Sequence, residues 1–264
     1  YMKEDLGFEI DPHAHESQYN YADVASLIDA CGVPTSHTAG GMIVGPPQNS
    51  ILEQFWQPMT GDIYPGYTWQ AQILWGGGTA MHVNEQPLWT SGVWHPKDRF
   101  NFLVHDAGAP LPNVGNYGGN WTNLDRLLAI RSAGEFRNRI HTCTVKMGQQ
   151  EILMPGFVAN FQATLEAHIA GGGCRWVGLA EVIDIWNTEY ASVASLLSYD
   201  NGYLLSLADL DVDGDNDSDD IAIFTNVLLG VDSSPSHIAV CDLDGSGTPD
   251  GFDIQPFVDA LMSP

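Results

Sequence analysis

The chain has 264 residues and a net charge of −24, from 33 acidic side chains against nine Lys and Arg. That balance argues against nucleic acid and anionic membrane as partners, since both would repel it. Apolar residues make up 44%, enough for a real core, and the length suits one larger domain plus a small one.

In chain order, Leu6 to Ile10 reads as a short strand. A helix follows over Tyr21–Ala30, with Val24, Leu27, Ile28 and Cys31 on one face. Residues 35–120 are rich in Gly, Pro and Trp with little periodicity and read mainly as long loops, where binding sites often sit. Phe100–His105 is a strand within them. Thr122-Asn-Leu-Asp125 resembles a capping box and opens a helix carrying Leu124, Leu127 and Leu128. Ile140 to Met147 alternates like a strand. Val158, Phe161, Leu165 and Ile169 mark a helix that Gly171–Gly173 ends. Arg175–Leu179 is a strand, and Glu181 to Trp186 begins the last helix of this part. Strands alternating with helices point to a parallel α/β architecture, open or barrel. All eight Trp precede residue 200, either stacking on sugar rings or filling a core.

None of the four cysteines lies in a C-x-x-C pair, so zinc-finger and thioredoxin readings have no support. Cys31 and Cys143 sit among apolar residues and are expected as buried thiols. A Cys174–Cys241 bridge is left open. No apolar run is long enough to span a membrane, and any export signal is expected to lie upstream of Tyr1.

Glu9-Ile-Asp11-Pro-His13-Ala-His15-Glu16 is the candidate active site. It follows a predicted strand and precedes a helix, where α/β folds carry their chemistry. His13 and His15 share a face of an extended segment and can bind one metal, with Asp11 or Glu16 completing the site or orienting a histidine. The alternative is a surface turn whose histidines bond locally. His105-Asp106 and His141 are weaker candidates for the same mouth, and a strand histidine is more often structural. Glu181 and Asp184 read as solvated or capping.

Two acidic segments lie 33 residues apart near the end of the chain. Each has oxygen-bearing side chains at loop positions 1, 3, 5, 9 and 12 and Gly at position 6, the spacing with which one tight turn wraps a Ca²⁺ ion. The first offers Asp209, Asp211, Asp213, the Asp215 carbonyl, Asp217 and Asp220, with Gly214 at the bend. The second offers Asp242, Asp244, Ser246, the Thr248 carbonyl, Asp250 and Asp253, with Gly247 at the bend. Ile221, Phe224 and Leu228 follow the first loop; Ile254, Phe257 and Leu261 follow the second at the same offsets, each set a stripe on a short helix. The competing reading is an acidic disordered tail, because residues 201–264 hold thirteen Asp and no Lys, Arg or Glu. A disordered tail has no need to repeat its apolar residues in register. Two Ca²⁺ ions are expected, bound more tightly by the first loop, which has Asp213 where the second has Ser246.

The paired loops and helices resemble a type I dockerin domain, the calcium module of secreted polysaccharide-degrading proteins. Asp at position 12 fits that family, and no proper entering helix is expected before the loops. The resemblance implies a cohesin-like or cell-surface partner. Positions 10 and 11 are Ser218-Asp219 and Gly251-Phe252, where family members often carry small hydroxyl or aliphatic residues, and the family's helix basic residues are absent.

Gly7-Phe-Glu-Ile-Asp-Pro-His13 resembles the second motif of NodB-type polysaccharide deacetylases, and Gly171 to Trp186 resembles that family's final strand and helix. The resemblance implies metal-assisted amide or ester hydrolysis on a polysaccharide or glycan, with His13 and His15 as Zn²⁺ ligands beside Asp11. The family's second histidine falls where this chain has Ser17. Its paired aspartates belong to an earlier strand, which would precede Tyr1, so a truncated barrel is expected. The expected fold class is α/β. It comprises a partial (β/α) barrel of deacetylase type over 1–190, a linker over 191–206 and a small α-helical dockerin-like calcium module over 207–264. The protein is expected to act outside the cell. A non-catalytic extracellular glycan-binding or attachment protein is the alternative.

Overall fold

Asn20 and Asp23 start the first helix by capping one another. The Asn20 side chain accepts the Asp23 N–H at 2.9 Å and Asp23 accepts the Asn20 N–H at 3.1 Å, a reciprocal cap for α1 (Tyr21–Ala30). The computed structural model describes residues 9–14, 19–42, 52–76, 90–115, 121–132, 139–145, 149–198, 202–203, 207–211 and 216–262. Among them the chain is a mixed α/β structure with short strands and eight α-helices.

The strands are β1 (Thr38–Met42), β2 (Met59–Thr60), β3 (Thr68–Trp69), β4 (Ile73–Gly76), β5 (Thr90–Ser91), β6 (Val93–Trp94), β7 (Asn113–Val114), β8 (Leu197–Ser198) and β9 (Gly202–Tyr203). The largest sheet has the order β1-β4-β7-β6; β1, β4 and β7 run parallel and β6 pairs antiparallel with β7. The sheet is therefore mixed rather than wholly parallel. β2 and β3 form an antiparallel pair, and β5-β8-β9 a second antiparallel sheet.

Residues 35–120, expected mainly as loops, carry seven of these strands and most of the core cluster that α1 packs against. Pieces of two to five residues are too short for alternation to show. α1 keeps its expected span but buries a different face. Tyr21, Ala22 and Ala25 face the core, while Leu27 and Cys31 are exposed. Ala22 and Ala25 let the helix lie close to Phe55, Trp69 and Leu74 in one cluster.

Phe100–His105 is a series of turns, not a strand. The Asp98 carboxylate accepts the Phe100 and Asn101 N–H groups at 2.8 and 2.9 Å, and this local turn outcompetes a ladder. Within it Phe102 is buried edge-on against Trp94. Residues 140–145 and 175–178 form none of the named strands; Thr142 bonds by its side chain to Gly92 N–H at 2.8 Å instead. Ile10 lacks regular structure, and Leu6–Phe8 lie outside the described residues.

The later helices are α2 (Trp121–Ser132), α3 (Gln149–Ile152), α4 (Phe157–Ala170), α5 (Leu179–Glu189), α6 (Ser218–Leu228), α7 (Pro235–Cys241) and α8 (Ile254–Met262). Gly178, the residue before α5, has no side chain to cap with, and Glu9 does so from the other end of the chain: its Oε1 accepts the Ala180 N–H at 3.0 Å. Residues Val193–Leu197 are buried, and β8 pairs with β5. Gly92 makes this approach possible. Its φ is +112°, and a Cβ there would lie 2.1 Å from the Ser195 carbonyl oxygen.

Candidate functional site

Two triads of carboxylates converge at the C-terminal end of the chain. Ligand oxygens of Asp209, Asp211 and Asp220 lie within 4.8 Å of one another, and those of Asp242, Asp244 and Asp253 do the same. Among the described residues these are the groups of three or more His, Cys, Asp or Glu that could hold a metal ion.

The same backbone device builds both. Asp220 Oδ1 accepts the N–H of Leu210 at 2.5 Å and of Asp211 at 3.3 Å; its Oδ2 accepts that of Asp217 at 2.8 Å. Asp253 repeats this 33 residues later, with Leu243 at 2.7 Å, Asp244 at 2.9 Å and Asp250 at 2.7 Å. Asp217 then accepts Asp219 N–H and Asp250 accepts Phe252 N–H, both at 2.7 Å. These carboxylates turn the loop into the helix that follows, so α6 and α8 start where each loop closes. The position-12 carboxylates are almost fully buried, at 1% and 0% exposure, whereas Asp211 and Asp244 face solvent.

In the second loop Ser246 Oγ lies 3.1 Å from the Thr248 carbonyl oxygen and 3.4 Å from Asp242 Oδ1. The oxygens of positions 1, 5 and 7 thus share one concavity. Gly247 bends the loop with φ +100°. Asp213 and Asp215 of the first loop lie outside the described residues.

The electrostatics suit a hard cation. Burial raises the Asp242 carboxyl above its ordinary value, and the charges of Asp253 and Asp244 add to the rise. Residues 201–264 contain no Lys or Arg, so no ammonium or guanidinium of the segment offsets either triad. An all-oxygen donor set of this kind fits Ca²⁺ rather than a softer metal.

α6 and α8 meet through Phe224 and Phe257, with Leu228 and Leu261 packed against the same cluster; Ile221 and Ile254, expected on the same stripes, are exposed. Phe224 and Phe257 stack within a cluster that also holds Ala208, Leu210, Val227, Val240 and Cys241. α7, which sequence reasoning missed, leads directly into the second loop, so an entering helix is present there. Ser234 followed by Pro235 at the first turn was the readable signal.

The amino-terminal candidates are arranged differently. Asp11 accepts a short hydrogen bond from Ser36 Oγ. His13 is exposed, and its Nδ1 donates to the Gly40 carbonyl at 2.7 Å, which leaves Nε2 as the basic nitrogen of the neutral ring. His15 and Glu16 lie outside the described residues, and among the described ones Asp11 and His13 belong to no group of three or more metal-ligating side chains.

A cleft of about 680 Å³ opens beside the ends of β4 and β7, lined in part by Asp11, Trp75, Trp121, Arg131, His141 and Trp176. Trp121 stacks on His168 at 5.1 Å, and Trp176 is half exposed. α4 buries no residue fully; its Leu165 and Ile169 face this cleft instead of a core. Burial pushes His141 down to about 4, and Arg131 and Arg139 reinforce the shift, so the ring is neutral at pH 7. His105 is likewise pushed down to about 4, chiefly by burial, and accepts the His95 N–H at 3.0 Å in a structural role.

All four cysteines are free thiols, so Cys174 and Cys241 form no bridge. Cys241 is buried in the cluster that Phe224 and Phe257 centre, and Cys174 lines the cleft with Cys143. Cys31, expected to be buried, is exposed because it follows the last turn of α1 on the side away from the core. Compared with protein-family models, curated proteins and solved structures, the chain matches none.

Proposed function

We propose that this chain belongs to an extracellular, carbohydrate-directed protein whose C-terminal part is a dockerin-like pair of calcium loops. One observation carries the calcium reading: two carboxylate triads, 33 residues apart, are held by the same set of backbone hydrogen bonds. Binding of Ca²⁺ neutralises each triad and ties the loop to the helix it starts, so the ion stabilises the fold of the segment. The attached partner is a cohesin-like or cell-surface protein.

For the α/β part we propose metal-dependent deacetylation of a polysaccharide, with Asp11, His13 and His15 as the site residues. Support comes from the sequence resemblance and from His13, whose ring is oriented by the Gly40 carbonyl in the way protein-bound metal ligands usually are. A divalent ion such as Zn²⁺ held there would supply a water of lowered pKa and polarise a carbonyl. Non-catalytic glycan binding is the second reading. It is favoured by the three Trp of the cleft and by the engagement of Asp11 with Ser36.

Calorimetric titration of the metal-stripped protein with Ca²⁺ is expected to show two sites, and absence of heat up to millimolar Ca²⁺ removes the calcium reading. Zinc content should fall in His13→Ala if the deacetylase reading holds. Equal zinc content in wild type and variant, with glycan binding retained, favours the second.

A further inference from the structure

Val193 belongs to two packed regions at once. Its side chain, 4% exposed, lies in the calcium-loop cluster with Ala208, Leu210, Phe224 and Phe257. Its carbonyl oxygen accepts the Trp186 indole N–H at 2.7 Å. Trp186 packs with Val93, Val114, Ile140 and Ile185, and the last three are walls of the cleft.

The backbone between them is tightly held. Ser192 N–H donates to the Trp186 carbonyl at 3.0 Å and Val193 N–H to that of Tyr190 at 2.9 Å. Ala191 and Ser192 are consecutive non-glycine residues with φ of +52° and +61°. Such a pair persists only where its surroundings over-determine it. Tyr190 and Glu189, at the end of α5, also line the cleft.

The first triad holds the other end of this chain of contacts. Asp220 fixes the Leu210 N–H, and Leu210 shares a cluster with Val193. Without a cation, three carboxylates within 4.8 Å repel one another and loosen the backbone they hold. Resting on the calcium reading above, we infer that cation loading of the first loop is transmitted through Leu210, Val193 and Trp186 to the wall of the cleft. The C-terminal module thereby controls the order of the cleft as well as its own fold. Linkage makes the effect reciprocal, so loosening the Val193 segment weakens cation binding.

The sequence supplies a reporter. All eight Trp precede residue 200 and none lies in the calcium loops or their helices. Any change of tryptophan emission on Ca²⁺ binding therefore comes from outside the module.

The test is Ca²⁺ titration of the metal-stripped full chain, read by calorimetry, tryptophan emission and amide hydrogen exchange. Loading is expected to shift emission and to slow exchange in residues 179–197 by about tenfold. Trp186→Phe should keep two bound Ca²⁺ but lose most of the emission change, and Val193→Ala should weaken the first site by about threefold. If Ca²⁺ binds and α6 and α8 gain protection while emission and residues 179–197 stay unchanged, the transmission is overturned and the calcium reading stands. If no Ca²⁺ binds, the calcium reading itself fails. The wild-type exchange data decide the matter even if a variant does not fold.

Discussion

Phe224 and Phe257, 33 residues apart, stack with ring centroids 4.1 Å apart and planes 16° from parallel. Each follows the closing aspartate of its loop by four residues, Asp220 and Asp253. The stack therefore joins the two loops at equivalent points, while Ile221 and Ile254, the first residue of each stripe, stay exposed. Neither helix has a complete core alone.

Phe224→Ala and Phe257→Ala should act alike. Each removes one ring of the pair and should cost the calcium-bound segment about 3–5 kcal/mol. Thermal unfolding followed by circular dichroism checks this. A variant that loses under about 1 kcal/mol would show that the rings are not its central contact.

Gly92→Ala should destabilise the α/β part strongly. The new Cβ meets the Ser195 carbonyl oxygen at 2.1 Å and the residue must hold φ +112°. A loss of about 3 kcal/mol or more is expected, with residues 193–197 losing exchange protection first. Protection of that segment at the wild-type level would contradict the close approach.

Asp23 sets a pH dependence. Burial would raise its carboxyl, but the N–H groups of Tyr64, Asn20, Ile63 and Asp62 outweigh this and hold it below the ordinary value. Its contribution is thus present above the unfolded value of about 4 and is lost as pH falls through the lower folded value. Asp23→Asn should cost about 2 kcal/mol at neutral pH. The gap between wild type and variant should narrow in melts near pH 3. A gap that widens in acid would reverse the sign.

The cysteines should label in a definite order. Cys31 is exposed and should react with iodoacetamide first. Cys241 is fully buried in the cluster with Phe224 and Phe257, and burial pushes its thiol up to about 12. It should resist alkylation in Ca²⁺ and react after chelation, as mapped by peptide mass spectrometry. Equal labelling in both conditions would show that the ion does not hold that core closed.

The longer helices were legible in the sequence because each shows a period, whereas the short α3 and α7 were not. α1, α4 and α6 fall within a few residues of their expected spans. The two carboxylate triads were legible because alternate oxygens and a glycine at fixed positions leave a pattern that packing cannot blur. The sheet was not, since strands such as Thr90–Ser91 and Asn113–Val114 have two residues each. Nor was the buried face of α1, where Ala22 and Ala25 pack because they are small, while the more apolar Leu27 faces solvent. The contacts of Glu9 with α5 and of Val193 with the Phe224–Phe257 cluster depend on tertiary approach, which no local pattern encodes.

Native mass spectrometry of the full chain in Ca²⁺ tests the paired loops most directly. Two bound Ca²⁺ are expected for the wild type and one each for Asp209→Ala and Asp242→Ala. The ion retained by Asp242→Ala, in the first loop, should be the tighter. A wild-type chain that carries no Ca²⁺, or variants that keep both ions, would contradict the assignment.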